Sequence, residues 1–509
     1  MADRLYTSDA ADEVLSALRF ETKLEKAVLS RIAFALSIGR EGIGVHQSNN
    51  FSGGELKRPT FVGEDEIFLR TLISITYGKR EIEEEEFFSN HSIIKNHIDS
   101  GALILEKMYL ECGKNPDSLL IKLADEVEFS GRKEALGQGF EILVGRTLLD
   151  AKEVILELNN TTKHANSHLA IMGKPGVGKT QLLLKILADI RIQSNYQTNF
   201  IYFDYKGDVV ENARFLEVAK VQPYRLLQGG HSLPINPFVL PSYDEQSINI
   251  SAREKAESFA SINNRLGVVQ KGNLTEAIRI AYSKRQSQQQ DYPDFNDVLQ
   301  IALSTYEEEG KNDDSLIEVL RDLATFNLFW KHGNLNPPIE KISNRTILVD
   351  LHAMPVLKEL VAYLVIERLY KEMAFLPDSP IQDGKRTIRT ILVIDEAHNY
   401  LSQKNLFLQR IIREGRSKGI FVFFASQSPS DYSQDFFNFQ ELLEFAFIFQ
   451  SDGVTAQSVQ KIIGCSNKTA RDLQVEIARL EPWQVIMRSP EKTEEFTKFT
   501  AEAFYKSYA

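Results

Sequence analysis

Apolar residues between Ala10 and Ile38 (Val14, Leu15, Leu18, Leu24, Val28, Leu29, Ile32, Phe34, Ala35 and Leu36) recur at intervals of three and four. That spacing gathers them on one face of a 3.6-residue spiral and predicts two helices. A polar, glycine-containing stretch follows from Gly39 to Gly54, then the helical period returns from Asp65 to Tyr77 and in a further pair across His91 to Glu128. Residues 1–128 therefore read as a mostly helical domain. Around Glu141 to Leu158 the pattern shortens to strands, FEILVGRTL and EVILEL, which make 129–160 a short β or linker region. Beyond it the runs HLAIMG, NFIYFD, TILVDL, TILVIDE and IFVFFAS alternate with helical segments. Near-continuous apolar runs suit strands covered on both faces, hence a parallel central sheet in an α/β domain over 161–509. Between about Gln246 and Asn336 the pattern is polar and helical, with the low-complexity turn SKRQSQQQDYPD, and predicts a helical insertion.

Composition narrows the class. At 509 residues and 43% hydrophobic content the chain is long enough for two or three cores. The start, MADRLYTSDAADEVL, lacks a basic end followed by an apolar run, and no stretch is long enough to cross a bilayer, so secretion and membrane insertion are not expected. Cys112 and Cys465 stand far apart without metal-ligand spacing and read as packing residues in a reducing cytoplasm. A net charge of −11 argues against gripping nucleic acid through bulk electrostatics, while leaving room for a local basic channel. The acidic run from Glu81 to Glu86 reads as a solvated face.

The segment Gly173-Lys174-Pro175-Gly176-Val177-Gly178-Lys179-Thr180 has the spacing of a phosphate loop and the right flanks, a strand before it and the helix QLLLKILADI after it. Glycines let the backbone curl its N–H groups inward, toward phosphates that also meet the positive end of the helix. Lys179 is expected to neutralise the β- and γ-phosphates of ATP, and Thr180 to ligate Mg²⁺. The strand TILVI ends in Asp395 and Glu396. Asp395 is placed to hold the magnesium and Glu396 to act as general base on the attacking water. His398 completes the letters DEAH, but reads as a packing or supporting residue.

Three features leave alternatives open. Gln427, at the end of IFVFFAS, either bonds the attacking water and a γ-phosphate oxygen or caps the next turn. Arg413 and Arg416 in REGR are either a finger reaching a neighbouring subunit's nucleotide or cations favoured at a helix C-terminus. Asp204 and Lys206 in FDYKGD either line the nucleotide crevice or cap a strand-to-turn transition.

GKPGVGKT, FDYKGD, the PINPF segment at Pro234 to Phe238, ILVIDEAH and REGRSKGIFVFFASQSPSD together resemble the HerA and FtsK group of hexameric DNA-translocating ATPases, HerA most of all. The resemblance runs from Phe140 to the C-terminus and implies a RecA-like P-loop fold and ATP held at subunit interfaces of a ring threaded by double-stranded DNA. It also implies roles for Lys179 and Thr180 at phosphate and magnesium, Asp395 and Glu396 as the acidic pair, Gln427 as sensor, and Arg416 or Arg413 in trans. The first domain resembles DndE, the helical protein of DNA phosphorothioation systems, through RLYTSDAADEVLSALRFET, AVLSRIAFALSIG and GGELKRPTFVGEDEIFLRTLI. That likeness makes Arg19, Lys23, Lys26, Arg31, Lys57 and Arg58 candidate phosphate contacts and modification or restriction subunits candidate partners. The leading expectation is a cytoplasmic ring motor acting on DNA in a phosphorothioation-linked modification or anti-phage system. An ATP-gated scaffold that recruits such subunits, and a conjugative or secretion-type ATPase, are the other readings.

Overall fold

A computed structural model describes residues 3–40, 49–63, 65–79, 82–112, 114–116, 118–120, 123, 139–227, 232–240, 244–262, 266–287, 292–332, 338–339, 341–354, 357–489 and 496–508. Most of the second helix expected before Glu128, Glu81 of the acidic run and the centre of SKRQSQQQDYPD lie outside them. The chain divides into two compact units, 1–131 with 334–337, and the remainder.

The first unit has a two-stranded ribbon, β1 (Arg4–Tyr6) with β2 (Glu55–Lys57), and helices α1 (Asp9–Thr22), α2 (Lys26–Arg40), α3 (Arg58–Val62), α4 (Glu66–Tyr77), α5 (Glu84–Phe87) and α6 (Ile93–Glu111). Ser8 caps α1 by accepting the Ala11 N–H, and Lys23 ends it in the left-handed region at φ 61°. The expected apolar stripe is the core here, where Leu15, Leu18, Leu29 and Phe34 pack with Ile94, Ile98 and Leu105.

In the second unit eleven strands form one sheet in the order β4-β3-β17-β16-β15-β5-β12-β11-β6-β8-β7. In chain order the elements are β3 (Glu141–Thr147), β4 (Glu153–Glu157), β5 (Leu169–Met172), α7 (Lys179–Gln193), β6 (Asn199–Asp204), α8 (Ala213–Ala219) and β7 (Gln222–Arg225). Four helices follow, α9 (Glu245–Ile262), α10 (Val268–Ser287), α11 (Phe295–Glu308) and α12 (Ser315–Thr325), then β8 (Ile347–Asp350) and α13 (Lys358–Phe375). After the hairpin β9 (Ile381–Gln382) and β10 (Lys385–Arg386) come β11 (Thr390–Ile394), α14 (His398–Leu401), α15 (Leu406–Lys418) and β12 (Ile420–Ser426). The small pair β13 (Ser433–Gln434) and β14 (Phe437–Asn438), β15 (Phe445–Ile448), α16 (Ala456–Ile463), α17 (Asn467–Ala478), β16 (Gln484–Arg488), β17 (Phe496–Ala501) and α18 (Phe504–Ser507) complete the chain.

From β15 to β7 the sheet is parallel. Apart from the edge strand β7, its strands are buried on both faces, which is why they read as unbroken apolar runs. In β12, Phe421, Phe423 and Ala425 enter one core while Ile420, Val422 and Phe424 enter the other. This is the RecA-like P-loop arrangement, with one strand, β12, between the phosphate-loop strand β5 and the acid-bearing β11. The strands at 141–157 belong to the same sheet, joined antiparallel through β17.

Candidate nucleotide-binding site

β5, β12 and β11 run parallel and in register, so the loops after Met172, Ser426 and Ile394 emerge at one end of the sheet. The loop after β5 is pinned from both sides: the Gly173 N–H donates to the Ser426 carbonyl at 3.2 Å and the Lys174 N–H to the Gln450 carbonyl at 2.8 Å. Gly173 (φ 151°), Gly176 (φ 81°) and Gly178 (φ 113°) all take positive φ. Gly178 has a second reason to lack a side chain, because a Cβ there would lie 2.7 Å from the Trp483 ring. Val177 is buried, whereas Pro175 and Gly176 are exposed at the loop's crest.

Helix α7 begins at Lys179 and leaves its first-turn N–H groups without intrahelical partners, with half-buried Thr180 beside them. Lys179 is buried, and its ammonium donates to the carbonyls of Gly173 at 2.5 Å and Lys174 at 2.9 Å. Burial lowers its pKa, opposed by Glu396 and Asp395, while the nearby Lys206 lowers it further.

Asp395 and Glu396 follow β11 and are 3% and 4% exposed. Asp395 accepts the Glu396 N–H at 2.9 Å and the Tyr202 hydroxyl at 3.4 Å, and burial pushes its carboxyl up to about 6. Glu396 adopts φ 47°, an uncommon conformation for a residue with a side chain. Its carboxylate pairs with the Lys206 ammonium, accepts the Gln427 amide at 3.0 Å, and lies 3.4 Å from His398 Nδ1. Burial alone would raise its pKa, but Lys206 and Gln427 hold it below the ordinary value.

The structure thus brings Lys179, Asp395, Glu396 and Gln427 together at one end of the sheet. The Gln427 side chain donates to Glu396 and its backbone N–H to Asp431 at 3.2 Å, while the cap of the turn that follows is Ser428. Asp204 and Lys206 part ways. Asp204 is fully buried and accepts four backbone N–H groups, from Lys206 (3.2 Å), Gly207, Val209 and Val210 (2.9 Å each), so it shapes the turn. Burial raises its pKa against the pull of those donors. His398 is a supporting contact to Glu396.

Arg413 and Arg416 are not part of this cluster. Both are exposed on α15, which ends where β12 begins, so a strand roughly 20 Å long separates them from Gln427. Arg413 lies over the Phe437 ring at 4.8 Å, and Arg416 shares a cleft with Arg386, Asn159 and Asn160. Neither forms a hydrogen bond or ion pair with the phosphate loop among the described residues. Asn236 of the PINPF segment is a structural tie, accepting the Phe238 N–H and donating to the Pro293 carbonyl.

The residues present fit a nucleoside triphosphate with magnesium: a glycine loop at a helix start that tolerates no Cβ at Gly178, a lysine facing it, and a buried carboxylate opposite. Trp483, Phe449 and Gln450, which back the loop, escape sequence reasoning because no motif links them to it.

In the first unit most of the candidate phosphate-binding cations have partners. Arg58 bonds Glu66 and Glu84, Lys26 pairs with Asp12, Arg19 with Glu25 at 3.7 Å and Arg31 with Asp65 at 3.9 Å. Glu84 also pairs with Arg70, which lies 4.0 Å from the Phe87 ring centre, so part of the acidic run joins a charge cluster while Glu83, Glu84 and Glu85 stay exposed. Lys23 sits over Phe20 and Lys57 is exposed.

Residues 4–111 match the family described as DNA sulphur modification protein DndE, so the first unit carries a DndE domain. A comparison with curated protein sequences returns no match. Among solved structures, VirB4 of Thermoanaerobacter pseudethanolicus superposes with a TM-score of 0.55 at 16% identity, over 74% of this chain and all of that one. The plasmid coupling protein TrwB in complex with ADP and Mg²⁺ gives 0.43 at 12% identity, over 72% of this chain and 94% of that one. The chain therefore joins a DndE domain to a unit with the fold of VirB4.

Proposed function

We propose that the chain is an ATP-hydrolysing motor of the HerA and FtsK type that acts on DNA in a phosphorothioation-linked modification or anti-phage system in the cytoplasm. The observation that carries the hydrolytic reading is the convergence of Lys179, Asp395, Glu396 and Gln427 from three adjacent parallel strands. Lys179 and the α7 N–H groups bind the phosphates, while Thr180 and Asp395 hold Mg²⁺, which when bound offsets phosphate charge. Gln427 orients a water against Glu396. Glu396 takes the proton as the water oxygen bonds to the γ-phosphorus and the bond to the leaving ADP oxygen breaks, giving ADP and phosphate.

Arg416 or Arg413, exposed and remote from the chain's own loop, fits a role at a neighbouring subunit's nucleotide, which supports self-association as a ring, taken to be a hexamer. The DndE domain points to DNA, double-stranded by the motor's resemblance, and to phosphorothioation or restriction subunits as partners. It also favours this setting over conjugation or secretion. Among the described residues no helix is long and apolar enough to cross a membrane.

Lys179→Ala is expected to abolish ATP hydrolysis, and Glu396→Gln to bind ATP without turnover. Full activity in either purified variant would overturn the site. DNA-stimulated hydrolysis with triplex displacement supports a motor, whereas stimulation without displacement supports the ATP-gated scaffold.

A further inference from the structure

Lys206 belongs to neither the phosphate loop nor the acidic pair, yet it touches the residue on which hydrolysis depends. β6 lies beside β11, with Phe203 opposite Ile394, so the turn after Asp204 and the acids after Ile394 leave the sheet side by side. The Asp204 carboxylate gathers the N–H groups of that turn, and Gly207 bends it at φ 78°. The bend aims Lys206 at Glu396. One Glu396 oxygen is taken by the Lys206 ammonium and the other by the Gln427 amide, with His398 Nδ1 3.4 Å from it. With its oxygens engaged this way, Glu396 is a poor proton acceptor for water.

Meanwhile Lys179 spends its ammonium on the carbonyls of its own loop. The ammonium groups of Lys179 and Lys206 and the carboxylates of Asp395 and Glu396 balance one another here. ATP with one Mg²⁺ adds about two negative charges, and that excess draws ammonium groups toward it. The mobile member of the pair is Lys206: its side chain is 38% exposed on a flexible stem, against 6% for that of Glu396.

We infer that Lys206 is a triphosphate-responsive clamp on the general base: it pairs with Glu396 and transfers to the γ-phosphate when a nucleoside triphosphate binds, releasing Glu396 to water. This rests on the reading of Glu396 as the base.

The test measures binding of ADP and of ATPγS to the full chain in four forms: unaltered, Glu396→Gln, Lys206→Met and the double variant. Glu396→Gln removes the competing carboxylate, so ATPγS affinity is expected to rise about tenfold with ADP affinity unchanged, as one charge-assisted hydrogen bond allows. Lys206→Met is expected to lose that much triphosphate preference, and the double variant to show no gain over Lys206→Met. Unchanged ADP binding in each variant shows that the site is folded. Lys206→Arg is expected to restore triphosphate preference. Equal gains from Glu396→Gln with and without Lys206, or no gain at all, would overturn the clamp. A Glu396→Gln variant that still hydrolyses ATP would instead overturn the assignment of the base.

Discussion

Replacing Asp204 by Asn separates a turn-shaping carboxylate from a magnesium ligand. The native side chain is wholly buried, one oxygen accepting the N–H groups of Lys206 and Gly207 and the other those of Val209 and Val210. An amide keeps one acceptor oxygen and presents an NH₂ group to two backbone donors, leaving those N–H groups without an acceptor. Each buried unsatisfied group costs roughly 1–3 kcal/mol, so the loss is about 2–6 kcal/mol, a large share of a typical 5–15 kcal/mol stability. The same turn aims Lys206, so turnover falls with stability. Denaturant unfolding of the full chain, followed by circular dichroism, reads the first effect, and a magnesium titration of ATPase activity reads the second. The expected outcome is a destabilised, slower enzyme with an unchanged magnesium requirement. A variant of native stability that needs about tenfold more magnesium would refute the assignment and make Asp204 part of the metal's shell.

Gly178→Ala forces a side chain into φ 113° with its Cβ 2.7 Å from Trp483, and nucleotide affinity should fall at least tenfold; adding Trp483→Ala relieves the clash but not the backbone strain, so recovery is partial. Glu367 is buried between Lys255 and Lys371, so Glu367→Gln should cost about 3–5 kcal/mol by stranding Lys255, and Lys255→Met with Glu367→Leu should recover most of it in the same unfolding assay. Burial lowers His168 to about 4, with Nδ1 accepting the Val422 N–H and Nε2 facing the Ile412 carbonyl. Because its folded pKa lies below the unfolded value, acid protonates the unfolded chain first. Stability should fall on the order of 3 kcal/mol between pH 6.5 and 4, and a flat melting temperature across that window would contradict it. If Arg416 acts across subunits, mixing Lys179→Ala with Arg416→Ala chains should restore hydrolysis that neither has alone; no restoration, with Arg413→Ala complementing instead, would move the role to Arg413.

Single strands were legible and their neighbours were not. β5, β6, β8, β11 and β12 announce themselves because both faces are covered, which turns each into a run such as IFVFFAS. β16 and β17 leave polar positions toward solvent and so do not stand out, whereas β15 is as short and as buried as β5 and was missed without a difference in either. The strands at 141–157 were readable as strands, yet their membership of the eleven-stranded sheet depends on pairing with β17, near the other end of the chain. The site divides along the same line. Lys179, Thr180, Asp395, Glu396 and Gln427 were legible because each follows a recognisable strand or opens a recognisable helix. The Lys206–Glu396 pair and the Trp483 backing of Gly178 exist only because β6 lies against β11 and the β16 end against the phosphate loop. Motifs locate groups on strands, but strand order decides which groups meet. In this sheet that order sets a second ammonium beside Glu396, so the carboxylates and ammonium groups of the cluster hold one another across strands that lie far apart in the chain.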